Sequence, residues 1–436
     1  MKKALFIFVF ALVILIAAMA DGESEYDISD VNGASDSVLY DGDMTISIGV
    51  FGDLESSIGA IVSSRDFRSK FPRVIIELQG ADTGSHHDRL VTQIAAGAGA
   101  NDIEAIDIGY LARFAADGGL EDLSKAPYYG LEAGKDIVKF AMSNSTTTDG
   151  KLLAMPLDVS PAVLFYRKSV CDDAGVNMDN IASWEEYIEK AKILTLDKNG
   201  DGIADQFALA NPLDAVTTFL NGGKGSWFEN GEPYIPKDRF VKALNYIRQI
   251  RKSGIDANFT AWSGEWINSF SEGNVVTIIS GHWLGSHLRN WMAPGLSGDW
   301  RVTYLPGKTA SSYGGTYLAI PRQTDQAKKT VCFEIIKYLC ADPNAQLLML
   351  KTTDAFPALT SVYANPEMDE PREYFGGQRV RQLYVDILLN IPEQYVSEFD
   401  NYAADIFYKA AGTVINDETP VEQAYKEMKT EMKAQM

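Results

Sequence analysis

The chain has 436 residues, more than one hydrophobic core usually serves, so we expect two folded lobes. Its 39 Lys and Arg residues stand against 59 Asp and Glu residues, which gives a formal charge of -20. So acidic a chain is repelled by phosphate backbones and by anionic lipid surfaces. Nucleic acid is therefore excluded from the expected partners.

The first twenty residues have the pattern of a secretory signal peptide. The basic start Met1-Lys2-Lys3 is followed by the apolar run 4–18 and by the small-x-small sequence Ala18-Met19-Ala20. We predict cleavage near Ala20 and export to the periplasm or the extracellular space; an uncleaved membrane anchor is the alternative. No lipobox cysteine follows the run. Residues 21–42 are acidic and lack apolar periodicity, which is typical of a flexible tether.

From residue 43 onward, strand patterns alternate with helix patterns. Strands are predicted at 45–52, 74–78 and 102–109, and helices at 56–67 and 86–99. Strands that alternate with helices at this spacing favour an α/β fold built on a parallel sheet with helices on both faces.

The second half of the chain continues the alternation after an extended apolar segment, residues 149–170. Ser183-Trp184-Glu185-Glu186 has the spacing of a capping box and predicts the start of a helix. Further elements follow: helices at 239–254 and 326–346, strands at 273–283 and 313–321, and a mainly helical region from 357 onward.

One loop has the oxygen-ligand spacing of an EF-hand calcium site. The predicted ligands, at loop positions 1, 3, 5, 7 and 9, are Asp197, Asn199, Asp201, the carbonyl of Ile203 and Asp205. Position 12 is Ala208 rather than a bidentate glutamate, and no helix is predicted to leave the loop, so a paired calcium sensor is not expected. The open alternatives are a structural Ca2+ site and a surface turn rich in Asp, Asn and Gly.

The remaining reactive residues do not indicate catalysis. Cys171, Cys332 and Cys340 are predicted to be buried thiols, and His86-His87 is predicted to be the solvated start of a helix. The sequence contains no Gly-x-Ser-x-Gly elbow, no His-Glu-x-x-His motif and no phosphate-binding loop. We therefore expect no enzyme and no required cofactor.

Six segments occur in an order that is specific to one family. They are ISIGVFGD, NDIEAIDIGYLARFAADGGLEDL, GKLLAMPLDVSPAVLFYRKSVCDDAGV, ASWEEYIEKAKIL, FSEGNVVTIISGHWLG and YGGTYLAIPRQTDQAKKTVCFEIIKYL. Over nearly all of its predicted mature length, the chain resembles the extracellular solute-binding proteins of ABC importers. The resemblance is to family 1, and in particular to its sugar-binding, maltose-binding-protein-like branch.

The resemblance implies a type II periplasmic-binding-protein fold, in which a multi-strand hinge joins two α/β lobes and the ligand lies in the cleft between them. The first lobe would comprise residues 43–157 and 317–342, and the second 158–316 and 343–436. The protein would be a monomer that binds a carbohydrate, most simply an oligosaccharide. Its other partners would be membrane permease subunits, with ATP handled by a separate ATPase.

Carbohydrate sites combine aromatic faces with carboxylates or amides, because sugars offer flat C–H faces and hydroxyl groups. The candidate contacts match cleft positions of the family or follow predicted strands. They are Phe51, Asp53, Asp107, Tyr110, Asp158, Trp227, Trp283, Gly315 and Tyr317, with Gly314, Trp262 and Trp266 as additional candidates. Trp283 is the foremost of them, because it follows a predicted buried strand in a glycine-flanked turn. For each aromatic residue the alternative is packing in the core, and for each aspartate it is capping of a helix.

Two other functions stay open at this point. The same fold could bind a non-sugar solute such as a polyamine, an iron chelate or a phosphodiester. A glycosidase that uses two carboxylates, such as Asp107 and Asp158, is the alternative from another class.

Overall fold

The computed structural model describes residues 42–115, 118–179, 181–222, 227–229 and 232–434. The predicted signal peptide and the predicted tether, apart from Gly42, lie outside these residues. No helix within the described ranges is both long and apolar enough to cross a bilayer.

Strands from distant parts of the chain combine in one mixed sheet. The strands are β1 (Met44–Phe51), β2 (Val74–Ala81), β3 (Ile103–Asp107), β4 (Met155–Arg167), β5 (Phe228–Glu229), β6 (Glu232–Pro233), β7 (Thr277–Gly281), β8 (Trp300–Thr303) and β9 (Ser312–Ala319). The order in the sheet is β2-β1-β3-β9-β4-β7, and β8 also pairs with β4. Strands β5 and β6 pair separately.

The two parts of the sheet differ in strand direction. Strand β1 is parallel to β2 and to β3, as predicted. Strand β9 is antiparallel to β3 and β4, and β7 and β8 are antiparallel to β4. The predicted parallel sheet is therefore wrong for the part built on β4. The reason is that β9 comes from late in the chain. Antiparallel neighbours need no helical crossover between them, so the alternation of strands and helices in the sequence does not reveal their direction.

Strand β4 connects the two parts of the sheet. Its 13 residues are all buried, as expected for a strand that is covered on both faces. Its first half pairs with β9, from Met155↔Leu318 to Pro161↔Ser312. Beyond Pro161, β8 replaces β9 as the partner on one edge of β4, while β7 pairs with the opposite edge.

Helices account for most of the remaining described residues. They are α1 (Leu54–Ser63), α2 (Arg65–Lys70), α3 (Thr83–Ala96), α4 (Ile108–Leu111), α5 (Gly130–Ala133), α6 (Lys139–Asn144), α7 (Lys168–Asp173), α8 (Trp184–Leu194), α9 (Val216–Asn221), α10 (Lys237–Lys252), α11 (Gly264–Glu272), α12 (Leu284–His287), α13 (Gln326–Ala341), α14 (Pro343–Thr353), α15 (Val380–Asn390), α16 (Asp400–Asn416) and α17 (Val421–Ala434). The N-cap of the predicted capping box is confirmed, because the Ser183 hydroxyl accepts the Glu186 N–H at 3.2 Å where α8 begins. The Glu186 carboxylate accepts the Ala182 N–H at 2.7 Å rather than that of Ser183.

The cysteines are buried thiols, as predicted. Cys171, Cys332 and Cys340 are all buried and unpaired. Burial raises the pKa of Cys171 and of Cys332 to about 12. Both thiols are therefore protonated and unreactive at neutral pH.

A further segment of chain, residues 354–358, runs beside β4 after α14. Helix α14 packs against α1, and the hydroxyl oxygens of Ser57 and Thr353 lie 2.7 Å apart. The chain then passes along β4, where the Val159 N–H donates to the Phe356 carbonyl at 3.0 Å. Residues 354–358 therefore lie beside β4, after α14. The predicted lobe boundaries, including the one at residue 342, stay predictions.

Gln346, in α14, bonds both to β4 and to residues 354–358, and its amide is fully buried. Its Nε2 donates to the Leu157 carbonyl at 3.0 Å and to the Leu339 carbonyl at 2.8 Å. Its Oε1 accepts the Ala358 N–H at 3.0 Å. One side chain thus satisfies backbone groups of three different segments.

We expect Gln346→Ala to lower the free energy of unfolding by about 2–4 kcal/mol, because it leaves several buried backbone groups without partners. The measurement is a urea titration followed by circular dichroism. Gln423→Ala is the matched control, since Gln423 is exposed and its side chain bonds, among the described residues, to Glu427 on its own helix, and it should cost less than about 0.5 kcal/mol. Equal losses in the two variants would contradict the role given to Gln346.

Candidate functional site

The turn after β3 is held by two histidines of α3. His86 and His87 are fully buried, so the predicted solvated helix start is wrong; β1 and β3 cover this face of α3. The Asp107 N–H donates to His87 Nε2 at 2.9 Å, so that nitrogen carries no proton and Nδ1 donates to the Thr83 carbonyl at 2.7 Å. Burial lowers the pKa of His87 to about 4. His87 is therefore a neutral group that positions the turn.

Tyr110 and Phe51 pack on the same histidine. The Tyr110 ring stacks on His87 with centroids 3.9 Å apart and an interplanar angle of 17°. The guanidinium of Arg113 lies 4.9 Å from the Tyr110 centroid, and the Phe51 centroid lies 5.0 Å from that of His87. The structure thus packs Phe51 and Tyr110 against one histidine, and their predicted contact with a ligand stays a prediction.

Asp107, Asp158 and Tyr317 meet where β3, β9 and β4 lie side by side. Asp107 accepts the Gly109 N–H at 2.8 Å, and Asp158 accepts the Thr316 N–H at 3.2 Å. Burial raises the pKa of both carboxyls to about 6. Asp158 and Tyr317 are only 8% and 2% exposed. Asp158 is thus bonded to the sheet, and the predicted contact of Asp158 and Tyr317 with a ligand stays a prediction.

Gly315 also belongs to the packing between β4 and β9. Its φ is 134°, and a Cβ atom there would lie 3.2 Å from the Asp158 carbonyl oxygen. The close approach of the two backbones explains the glycine. The predicted approach of the Gly315 amide to a ligand is not supported, because the residue is buried.

Trp283 lies in an aromatic cluster next to the start of β9. It is half-buried, and its Nε1 donates to the Tyr313 carbonyl at 2.9 Å. The Trp262 ring lies nearly parallel to that of Trp283, with centroids 5.9 Å apart and an angle of 15°. Trp262 is 51% exposed, whereas Trp266 is buried. Trp262 and Trp283 therefore present aromatic surface, and Trp266 is a core residue rather than a platform.

The first strand-helix turn lies near this aromatic cluster. The His287 ring centroid lies 5.6 Å from that of Trp283. Burial lowers the pKa of His287, and the negative charge of Asp53 opposes that shift. Asp53 is exposed at the start of α1 and lies close enough to His287 for its charge to act there; its predicted contact with a ligand stays a prediction.

A cavity of about 320 Å³ lies beside the start of β9, within the size range of small-molecule sites. Its lining residues are Ile108, Gly109, Ala112, Arg113, Asn144, Thr217, Leu220, Asn221, Trp227, Ser312, Gln394, Tyr395, Val396, Asp400, Asn401, Ala404, Asp405 and Tyr408. Of the predicted contacts, Trp227 is the one that lines it among the described residues. Ser312 in the cavity wall precedes Tyr313, whose carbonyl binds Trp283. The cavity and the aromatic cluster are therefore neighbours along β9.

Trp227 is held in the cavity wall by other aromatic rings. Its ring centroid lies 5.1 Å from that of Phe240 and 6.3 Å from that of Phe407. The indole is half-buried, so packing fixes its orientation while part of its surface faces the cavity.

Helix α16 contributes cavity residues that the sequence analysis missed. With its amide oriented so that both atoms are satisfied, Asn401 donates to the Gly109 carbonyl at 3.0 Å and accepts from Arg113 Nε at 3.3 Å. The Tyr408 hydroxyl lies 2.7 Å from Thr217 Oγ1. A signal was present: Asn401, Asp405 and Tyr408 are spaced i, i+4, i+7 and so share one face of a helix.

Asp400 adds a carboxyl to the cavity. One of its oxygens accepts the Ser397 N–H at 2.9 Å, and the other is buried without a hydrogen-bond partner among the described residues. Burial raises the pKa of Asp400 to about 7. The cavity therefore combines acceptors, amide donors and a guanidinium with the aromatic faces of Trp227 and Tyr408. Such a set fits a solute rich in hydroxyl groups.

The predicted calcium loop, 197–205, is stabilised by bonds to its own backbone. The Asp197 carboxylate accepts the N–H groups of Gly200 and Gly202 at 2.6 and 2.8 Å. Asp205 accepts a backbone N–H from the start of the loop at 2.9 Å. Across the described residues, no three His, Cys, Asp or Glu side chains are grouped closely enough to hold a metal ion. The calcium site stays a prediction.

Known proteins with similar sequences bind sugars. The arabinooligosaccharide-binding protein of Halalkalibacterium halodurans is 23% identical over 80% of this chain and 80% of its own length. That of Bacillus subtilis is 23% identical over 78% of this chain and 81% of its own length.

A solved structure and a family profile extend this comparison. The sugar-binding protein MalE from the phytopathogen Xanthomonas citri has a TM-score of 0.72 at 19% identity, covering 89% of this chain and 96% of that one. This likeness confirms the two-lobed α/β fold. A sequence profile of bacterial extracellular solute-binding proteins matches residues 64–376. The profile spans well over half of the chain, and the chain therefore belongs to the family of bacterial extracellular solute-binding proteins.

Proposed function

We propose that the protein is the substrate-binding component of an ABC importer and that it binds an oligosaccharide in the cavity lined by α9 and α16. The observation that carries this proposal is the lining of the cavity. Asn221, Asn401 and Asp400 offer donors and acceptors for hydroxyl groups, while Trp227 and Tyr408 offer faces for the sugar ring. The sugars named for the Halalkalibacterium and Bacillus relatives support the same class of solute.

The charges in the cavity favour a neutral solute. Arg113 stands against Asp400 and Asp405, and Asp400 has its pKa raised to about 7, so its charge at neutral pH is only partial. A phosphodiester would need an excess of positive charge, and a polyamine would need several ionised carboxylates. The lining supplies neither.

The glycosidase alternative loses support from the same geometry. Its two carboxylates would have to reach the scissile bond, whereas Asp158 is buried and bonded to the Thr316 N–H. We propose binding without catalysis, by an exported monomer that delivers its sugar to permease subunits with a separate ATPase. Export would use the signal sequence that ends near Ala20.

A matched pair of tyrosines on α16 tests the binding cavity. Tyr408 lines the cavity, and Tyr402 is exposed on the same helix outside it. Tyr408→Ala should raise the dissociation constant for the bound oligosaccharide about tenfold, because a stacking contact is worth about 1.5 kcal/mol. Tyr402→Ala should leave it within about twofold. Calorimetric titration with arabino-, galacto- and malto-oligosaccharides measures both. Equal constants for the two variants, or heat from none of these sugars, would sink the proposal.

The Trp283 cluster tests how far the ligand extends. We propose that Trp283 and Trp262 form an outer platform that only a longer sugar chain reaches, because neither residue is among those that line the cavity. Trp283→Ala should then weaken oligosaccharide binding about tenfold and monosaccharide binding by less than about twofold. Intrinsic fluorescence titration with both sugar lengths distinguishes the cases. Equal weakening for both lengths would place Trp283 in the primary site instead.

We also propose that the 197–205 loop binds a structural Ca2+ ion. The supporting feature is the spacing of its oxygen ligands, Asp197, Asn199, Asp201, the carbonyl of Ile203 and Asp205. Millimolar calcium should raise the melting temperature relative to a chelator, and Asp201→Ala should abolish the rise. Asp179→Ala, outside the loop, should keep it. A melting temperature that calcium leaves unchanged would refute the site.

A further inference from the structure

Three arginines converge on one carboxylate where α14 ends. Asp354 accepts hydrogen bonds from Arg289 Nη1 at 2.7 Å, from Arg381 Nη2 at 2.6 Å and from Arg372 Nη2. Burial would raise the pKa of Asp354, but the guanidinium groups hold it below its ordinary value. Asp354 itself stands at a φ of 63°, a conformation that residues other than glycine seldom adopt.

The charges of this cluster do not balance. Within the described residues, Arg289 and Arg372 form ion pairs only with Asp354. Arg381 also approaches Glu367 at 3.7 Å, but Glu367 is paired with Lys351. Three guanidinium groups around one carboxylate leave two positive charges in excess, and the Glu367–Lys351 pair does not change that excess.

The excess charge is partly withdrawn from water. The side chain of Arg381 is 4% exposed, and those of Arg372 and Arg289 are 23% and 33% exposed. Arg381 Nε is buried and has no hydrogen-bond partner in the part of the chain that the structure describes. Burial lowers the pKa of Arg372, and the two neighbouring guanidinium groups lower it further. Keeping like charges together in such surroundings is costly unless an opposite charge accompanies them.

A small cavity lies among these side chains. Its volume is about 20 Å³, and the three arginines, Asp354 and His282 line it together with Ser286, Tyr384 and apolar side chains. A cavity of this size holds a single water-sized particle. His282 adds no charge, because burial lowers its pKa to about 4.

We propose that this cavity binds one monoatomic inorganic anion, such as chloride, held by Arg289, Arg372 and Arg381. The anion offsets part of the excess charge and gives Arg381 Nε a partner. Sulfate and phosphate are excluded, because five heavy atoms do not fit where one water-sized particle does.

The position of the site gives the anion a consequence. Asp354 opens the 354–358 segment beside β4, Arg372 and Arg381 come from residues that follow this segment, and Arg289 follows α12. An anion among the three guanidinium groups removes the repulsion that would spread them. Binding therefore stabilises the folded state, in which these segments meet, and raises the melting temperature of the protein by mass action.

The test is a thermal unfolding series in sodium chloride against sodium gluconate, at constant sodium concentration and ionic strength. We expect the melting temperature to rise with chloride and to saturate. Arg372→Gln should increase the apparent chloride dissociation constant at least tenfold. Arg379→Gln is the matched control, since Arg379 is exposed, pairs with Asp369 and lies outside the cavity, and it should leave the constant unchanged. Identical curves in the two salts, or an equal response in the two variants, would overturn the proposal.

A second measurement does not depend on any variant folding. Crystals of the unmodified protein soaked in bromide should show an anomalous peak between Arg289, Arg372 and Arg381. Bromide peaks on the surface with none in this cavity would overturn the proposal even if chloride raised the melting temperature.

Discussion

The pairing of β4 with β9 is the constraint on which the rest of this structure depends. Strand β4 is buried along its whole length and is bonded first to β9 and then to β8 and β7. A buried strand must satisfy every backbone polar group, so β4 leaves little freedom in the position of its neighbours. The bulges near Pro156 and Pro161, where proline has no N–H to give, bend the ladder at the places where the two parts of the fold are joined.

The candidate site follows from that ladder. Pairing places the end of β3 beside β9 and β9 beside β4, so the turn after Asp107 lies near the start of β9. One wall of the cavity is the turn after β3, and α16 supplies another; Asn401 bridges them by bonding to Gly109 and Arg113. The polar groups that bind a solute can therefore come from loops and helix faces, while the buried carboxyl of Asp158 stays in the sheet. A rigid ladder beneath adaptable walls is the arrangement expected of a protein that closes on its ligand.

The sequence predicted features that a short stretch of residues determines better than features that depend on contacts between distant residues. Local patterns were reliable: β1 to β3, the Ser183 capping box and the buried cysteines lie where periodicity and spacing placed them. Contacts made across the chain were not readable. His86 and His87 look solvated as a polar pair at a helix start, and only the packing of β1 and β3 buries them. Asp158 and Tyr317 were placed at the cleft by the family resemblance, and the sequence did not show that the pairing of β4 with β9 buries both of them. The face of α16 carried a helical spacing, but the sequence did not say that it lies opposite the turn after β3.

Residues 354–358, beside β4, are held in place differently from β4 and β9. Strands β4 and β9 are fixed by a shared ladder, whereas residues 354–358 contribute few ladder bonds and depend on side chains. His282 takes part as well: its two ring nitrogens lie 2.9 Å from Ser160 Oγ and 3.2 Å from the Asp354 carbonyl, so one neutral ring links β4 to this segment. Gln346 bonds to the same region from α14. Side-chain bonds can lengthen and reform during bending more readily than a continuous ladder can. The position of residues 354–358 therefore depends on side-chain contacts, whereas that of β4 and β9 depends on backbone pairing.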